Sequence, residues 1–554
     1  MKSSDFEAPA RRWSPLSLVW LAALWMGLLA NWPLWQRMLA LPELQGAKGV
    51  GFVLLFASMV VALHGALASL LAWPRLVKPV LVLCLMSAAA AAHFMGAYGT
   101  VMDPTMIVNV LQTDVKETRD LLSLRLLASL LLLGVLPAVW LWRRPLAPLA
   151  WPKRLGWNLA AFAGGLALMV GLAMSSYADL ASTMRTYPSL RYMMNPLAPF
   201  WSLGVVAVES HKAPDGPPAV VAADARWQPA DPQGRPRLLV LFVGETARAA
   251  NFSLNGYGRP TNPRLAGLDV LSFRQATSCG TSTAASLPCM FSHLGRSGFL
   301  DRAGDQENLL DALQRAGLAV LWLDNQSGCK GLCDRVPHAH ATEPAGRTPL
   351  PAGLCEGGEC LDMALLHDLD TRLQSLDAER RQRGVVLVLH PMGSHGPAYY
   401  RRSPPELKPF TPECRSNALQ QCPREQVVNA YDNSIAYADT VLAETIQWLK
   451  RQEAYDTSLL YVSDHGESLG ENNLYLHGVP YAVAPREQTH VPWILWLPQE
   501  SARRFGVDRH CLQSQLDTPL SHDWLSHTVL GLAEVHSAIY RPDWDLLRRC
   551  RATP

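Results

Sequence analysis

Net charge is nearly absent from this chain. Its 49 Lys and Arg stand against 47 Asp and Glu, leaving +2 over 554 residues. That balance gives no electrostatic argument for a nucleic-acid partner. No internal repeat is visible, so repeat architectures fall away. Cysteine is almost missing from the first half, where Cys84 is the only one before Cys279. Charge is sparse there too. Residues up to about 175 are dominated by long apolar stretches, and the remainder has an ordinary globular mixture. The length is too great for one ordinary domain.

Five of those stretches are long enough to span a bilayer: Pro15–Leu39, Gly49–Trp73, Val77–Ala97, Leu121–Trp142 and Trp157–Ser175. The first exceeds a signal-peptide core and is followed by further spans, so it reads as an uncleaved anchor. Lys2, Arg11 and Arg12 precede span one. Arg75 and Lys78 follow span two, and Arg143, Arg144, Lys153 and Arg154 follow span four. All lie on one side, which the positive-inside rule makes cytoplasmic. Arg37, Lys48, Lys116 and Arg119 lie on the other, diluted by Asp103, Asp114, Glu117 and Asp120. An odd number of spans puts everything after Ser175 outside the cytoplasm.

Cysteine usage agrees. Of 11 cysteines, all but Cys84 follow the last span, an even set in a compartment that permits disulfides. Close pairs are Cys279/Cys289, Cys329/Cys333, Cys355/Cys360 and Cys414/Cys422, leaving Cys511 with Cys550. Spacing alone does not establish this connectivity, but it is too irregular for a zinc ribbon.

Three regions are expected: a transmembrane domain over 1–175, membrane-surface helices and a linker over 176–235, and a catalytic domain over 236–554. In the first, Met102 to Asp120 is amphipathic, with Asn109, Thr113 and Glu117 spaced by four on one helical stripe. A solvated helix face is the ordinary reading of such a stripe. The last region alternates strands and helices. Strands are predicted at 238–243, 318–323, 385–389, 459–462 and 491–497, and helices at 308–316 and 426–450, the latter with Val428, Tyr431, Ile435, Leu442 and Ile446 on its apolar stripe. Continuous apolar strands alternating with helices mean a largely parallel sheet covered on both faces.

Four of these strands deliver polar groups at their carboxyl ends, where open α/β sheets bind ligands. Glu245 follows the first strand, and Asp324, Asn325, Gln326, Ser327 and Lys330 follow the second. His390 and His395 follow the third, and Asp464 and His465 follow the fourth, with His477 beyond. Glu245, Asp464 and His465 form an oxygen/nitrogen set that suits zinc and leaves a fourth position for a hydroxyl. Thr283, in Gly-Thr-Ser-Thr-Ala-Ala-Ser at a helix start, is placed to fill it. Coordination would lower its hydroxyl pKa and make it a nucleophile, while the helix N-terminus favours an incoming phosphate. Lys330 would neutralise phosphoryl charge, and His395 and His477 would protonate a leaving oxygen or hold a second metal.

At these residues the chain strongly resembles the lipid A phosphoethanolamine transferases, including the mobile colistin-resistance enzymes. The matching blocks are Val-Gly-Glu-Thr-Ala-Arg (243–248), Cys-Gly-Thr-Ser-Thr-Ala-Ala-Ser-Leu-Pro-Cys-Met-Phe-Ser (279–292), His-Pro-Met-Gly-Ser-His-Gly-Pro-Ala-Tyr (390–399), Tyr-Val-Ser-Asp-His-Gly-Glu-Ser-Leu-Gly-Glu-Asn (461–472) and Tyr-Leu-His-Gly (475–478). The resemblance implies a five-helix transmembrane domain followed by an alkaline-phosphatase-like α/β/α sandwich. It implies zinc on Glu245, Asp464 and His465, with Thr283 as ligand and nucleophile and His395 and His477 serving the phosphoryl group or a second zinc. Asn109, Thr113, Glu117, Ser327 and Lys330 would surround the phosphoethanolamine, which reverses the ordinary reading of the 109/113/117 stripe. The implied donor is phosphatidylethanolamine, and the acceptor is a phosphate of lipid A. The implied setting is the bacterial inner membrane among its lipids, with the N-terminus cytoplasmic and the catalytic domain periplasmic, and a monomer is expected. Gln326 departs from an expected Asn and Cys329/Cys333 adds a disulfide; neither is expected to touch the metal ligands.

Other readings are weaker. A sulfatase needs Cys or Ser followed by x-Pro-x-Arg, which Thr283-Ala-Ala-Ser-Leu lacks. A hydrolytic phosphatase has no need of lipid access. A phosphoglycerol transferase, or transfer to another envelope glycan, stays open at this point. A catalytically inactive, membrane-anchored metal-binding or sensor protein would be expected to lack a ligand, and none is missing.

Overall fold

A computed structural model describes residues 12–113, 115–212, 216–346, 349–356 and 359–551, with Lys116, Glu117 and 209–212 described by backbone alone. Contacts divide the chain into two compact units: one of residues up to Ile107 with Leu122–Val208, the other of Val108–Leu121 with everything from Glu209.

The first unit is helical. Gly46–Ser69, Val77–Tyr98, Leu124–Trp142 and Trp151–Ser175 are each long and apolar enough to cross a membrane. The first expected span is instead two helices, Pro15–Ala30 and Trp32–Leu39, bent by 47°. The break has a cause. Asn31 is fully buried, and its amide donates to the carbonyls of Met26 (2.9 Å) and Asn195 (2.7 Å) and accepts from the Asn195 N–H (2.8 Å). Pro33 then supplies no N–H to continue the first helix. Further helices cover Tyr177–Thr186 and Leu197–Lys212.

The second unit is built on eight strands: β1 Arg237–Gly244, β2 Leu271–Thr277, β3 Ala319–Asp324, β4 His338–His340, β5 Val385–His390, β6 Asp456–Ser463, β7 His490–Trp496 and β8 Leu520–Ser521. Their order is β8-β2-β7-β6-β1-β5-β3-β4. The pairs β6-β1, β1-β5, β5-β3, β3-β4 and β8-β2 are parallel, and only β7 runs antiparallel to its neighbours β6 and β2. Every residue of β1, β3, β5 and β6 is buried, as strands covered on both faces must be. Each fully buried Leu, Val or Phe contributes about 1.5–3 kcal/mol. The Leu309–Arg315 helix starts on a capping box, with Asn308 and Asp311 each bonding the other's backbone N–H. The Arg424–Lys450 helix buries Val427, Tyr431, Ile435, Leu442 and Ile446, so Val427 rather than Val428 leads its stripe. Five disulfides join Cys279–Cys289, Cys329–Cys333, Cys355–Cys360, Cys414–Cys422 and Cys511–Cys550.

The 109/113/117 stripe is not one helix. Pro104–Gln112 and Val115–Leu121 are separate helices, with Thr113 between them donating its hydroxyl back to the Asn109 carbonyl at 2.8 Å. Such back-bonding competes with helix continuation.

Candidate metal centre

β1, β6 and the Thr283–Met290 helix converge on one buried point. Glu245 leaves the end of β1 and Asp464 and His465 leave the end of β6; all three are at most 1% exposed. Their ligand atoms lie within 4.8 Å of one another. Thr283 opens its helix, and its Oγ1 lies 3.2 and 3.1 Å from the two Glu245 oxygens and 3.3 Å from His465 Nε2. His465 Nε2 is 3.6 Å from Glu245 Oε1 and 3.4 Å from Asp464 Oδ2.

The donors suit a divalent cation. Asp464 Oδ2 is buried with no hydrogen-bond partner, an atom whose desolvation a cation would offset. Burial, then the neighbouring Glu245 carboxylate, push the Asp464 pKa up. Burial also opposes ionisation of Glu245, but a hydrogen bond from His390 and the charges of His465, His395 and His390 outweigh it and hold that carboxyl low. Two carboxylates, an imidazole and a hydroxyl crowded into a dry site form the donor set of a metal centre.

Supporting contacts fix the ligands. His465 Nδ1 meets the Gly466 carbonyl at 2.9 Å, which leaves Nε2 facing the cluster. His390 stands between Asp324 (3.3 Å) and Glu245 (3.8 Å). Burial disfavours its charge, but the two carboxylates overcome this and raise its pKa to about 10. Gln326 Nε2 donates to Glu245 Oε2 at 3.0 Å. Gln326 therefore does touch a proposed ligand, contrary to the sequence expectation, because its longer side chain reaches back from the end of β3. Ser286 of the Thr283–Met290 helix donates to the Asp464 carbonyl. His522 accepts the Cys279 N–H at 3.0 Å and meets the Ser463 carbonyl at 2.9 Å, tying that helix's approach to β6. Gly393 lies against Glu245 with φ +55°, where an added Cβ would fall 2.6 Å from the Glu245 carbonyl oxygen.

The other expected site residues are placed as follows. His477 packs on His465 with ring centroids 4.4 Å apart, and on His395 at 5.6 Å. Glu467 meets His477 Nδ1 at 3.4 Å. Burial pushes the His395 pKa down to about 4, with the Glu245 carboxylate opposing, so its imidazole is neutral at neutral pH. Lys330 donates to Ser327 at 3.0 Å, and the Ser327 N–H donates to Gln326, making a chain that leads to Glu245. No hydrogen bond among the described residues joins Asn109 or Thr113 to the cluster, and the Glu117 side chain lies outside the described residues. Gln326 and the Asp324–His390 pair went without a role in the sequence reading, although Asp324 and His390 are the last residues of β3 and β5 and Gln326 lies two residues beyond β3. His522 follows the two-residue β8 and offered no signal.

A family model for phosphoethanolamine transferase EptA/EptB matches residues 60–210, and a sulfatase model matches residues 237–535. The turn that carries Thr283 still lacks the sulfatase Cys/Ser-x-Pro-x-Arg pattern. Phosphoethanolamine transferase EptA of Salmonella typhimurium is 42% identical over 517 residues, 90% of this chain and 91% of that protein. Phosphatidylethanolamine transferase Mcr-1 of Escherichia coli is 40% identical over 498 residues, 88% of this chain and 90% of that protein. The solved integral membrane protein lipooligosaccharide phosphoethanolamine transferase A (EptA) from Neisseria meningitidis matches with a TM-score of 0.91 at 36% identity, covering 97% of this chain and 99% of that one. The C-terminal periplasmic domain of EptC from Campylobacter jejuni matches at 0.52 and 41% identity, covering 61% and 100%. With its metal-competent cluster seated at the strand ends of a sulfatase-type domain that follows a set of membrane-length helices, the chain belongs to the phosphoethanolamine transferase family of enzymes.

Proposed function

We propose that the chain transfers phosphoethanolamine from phosphatidylethanolamine to a phosphate of lipid A through a covalent intermediate on Thr283, with zinc as the resident metal. The observation that carries this reading is the meeting of Thr283 Oγ1 with Glu245 and His465 in a cluster closed to solvent. Glu245, Asp464, His465 and Thr283 would hold the ion, a four-donor set of the kind zinc prefers. Bound there, zinc supplies the Lewis acidity that favours the deprotonated hydroxyl.

Thr283 Oγ1 forms a bond to the donor's phosphorus. The bond from phosphorus to the diacylglycerol oxygen breaks, and that oxygen leaves with a proton. His477, braced by Glu467, and His395 are the groups assigned to the phosphoryl oxygens and to passing that proton. Lys330, held by Ser327, neutralises charge on the phosphoryl group. Asn109, Thr113 and Glu117 are assigned to the phosphoethanolamine. In the second step an oxygen of the lipid A phosphate attacks the same phosphorus, the bond to Thr283 breaks, and Oγ1 recovers its proton. The name of the Mcr-1 relative supplies the donor class, and that of the Neisseria relative supplies a lipooligosaccharide acceptor.

In this reading the N-terminus is cytoplasmic and the catalytic domain periplasmic, tethered beside its lipid donor in the inner membrane. The product masks a phosphate and adds an ammonium, which weakens attraction of cationic peptides such as polymyxins. Mass spectrometry of lipid A from cells with and without the chain tests the reading. A gain of one phosphoethanolamine is expected; unchanged lipid A would refute it.

A further inference from the structure

We propose that a pocket of about 1050 Å³ in the catalytic unit, beside the metal centre, holds the phosphorylated sugar headgroup of the acceptor. The proposal rests on the transfer reading above, which requires a second, anionic glycolipid substrate. A void of this volume is at the upper end for small-molecule sites and suits a disaccharide-sized group.

The pocket and the centre share a wall. Met392 lines the pocket, while the next residues turn to the other side, where the Ser394 N–H donates to the Glu245 carbonyl at 3.1 Å. Asp362, also in the lining, accepts the N–H groups of Met392 and Gly393 at 2.7 and 2.9 Å. Arg402 joins the wall to His395, donating from Nε to its carbonyl at 2.8 Å. An acceptor headgroup seated here lies across this wall from Glu245.

The lining chemistry selects the ligand. Arg402 is buried and fully committed, bonded to Asp120 at 3.0 Å and to Glu359 at 3.1 Å besides His395. Arg401 donates to Asp120 at 2.9 Å and packs over the Tyr400 ring at 5.5 Å, and its side chain remains 51% exposed. Arg119 is exposed at the rim and makes no ion pair among the described residues. Arg119 and Arg401 thus both line the pocket with free guanidinium donors, the chemistry that binds a phosphate. The exposed Glu356 and Glu406 offer carboxylates to the hydroxyls of a sugar. Carboxylates for hydroxyls beside free guanidinium donors suit a sugar phosphate better than an acyl chain.

The test uses the purified full chain loaded with zinc, phosphatidylethanolamine vesicles and bisphosphorylated lipid A. The double variant Arg119→Ala, Arg401→Ala should raise the KM for lipid A about tenfold or more, the loss expected for a charge-assisted phosphate contact. Diacylglycerol released without acceptor reads the first half-reaction, and the loss should fall on the acceptor step instead. Asp120 keeps Arg402 as its partner, so the fold is retained, and Arg401→Lys should recover part of the affinity. With a monophosphorylated acceptor the variant and native chains should converge. An unchanged KM for lipid A overturns the proposal, and so does a loss of diacylglycerol release that parallels the loss of transfer. If the native chain releases no diacylglycerol at all, the transfer reading itself falls.

Discussion

Replacing Gln326 with leucine removes one hydrogen-bond donor from the proposed metal ligand Glu245 while nearly preserving side-chain volume. The Gln326 amide lies 3.0 Å from Glu245 Oε2, in a side chain only 7% exposed. Without it, that oxygen keeps Thr283 at 3.1 Å and His390 at the longer distance of 3.8 Å. A hydrogen bond to a buried charged group is worth about 1.5–3 kcal/mol. Loss of an outer contact to a ligand typically weakens metal binding about 10–100-fold, which is the same magnitude by another route. The Ser327 N–H also loses its acceptor, but it is only partly buried and water can replace the bond. Competition with a chromogenic chelator measures zinc affinity, and a titration of transfer rate against free zinc measures its functional consequence. The expected result is weaker binding with most of the rate restored at saturating zinc. Native zinc affinity in the variant would refute the reasoning, as would a rate that excess zinc does not restore.

Thr283→Ala should abolish transfer while Glu245, Asp464 and His465 still bind zinc; a variant that still modifies lipid A would remove Thr283 as nucleophile. Chelation should stop transfer and lower the melting temperature, because two buried carboxylates are left facing each other, and zinc should restore both; activity that survives complete metal removal would refute the metal's role. Away from the site, Asp439 accepts the N–H groups of Arg264 and Leu265 at 2.9 and 3.0 Å, yet burial outweighs these bonds and raises its pKa to about 6. A raised carboxyl pKa means the folded state favours the protonated form. The contribution is therefore full below about pH 4 and lost as pH rises through about 6, a swing of roughly 3 kcal/mol. Asp439→Asn, uncharged throughout, should lose less stability than the native chain between pH 4 and 7; parallel losses in melting curves would refute this.

Much of the fold is legible in the sequence because its signals are long and local. The apolar runs that become β1, β3, β5 and β6 are bounded by the residues that end them, and Asn308 marks a helix start with its own capping chemistry. The cluster of Glu245, Thr283, Asp464 and His465 is legible for a related reason: parallel strands bring their carboxyl ends to one edge. What remained hidden depends on distant pairing. The bend at Asn31 needs Asn195. The strand β2 carries Arg274 and Gln275 and declares itself only by pairing with β7 and β8. The reach of Gln326 to Glu245 and the bridging of His522 follow from the approach of elements far apart in sequence, which no local pattern encodes.

The central claim is that Thr283 carries the phosphoethanolamine between donor and acceptor. The most direct measurement is mass spectrometry of peptides from the zinc-loaded chain, quenched after incubation with phosphatidylethanolamine in the absence of lipid A. The account predicts that the peptide containing Thr283 gains one phosphoethanolamine and loses it when lipid A is added. An unmodified Thr283 peptide in a preparation that goes on to modify lipid A would contradict it.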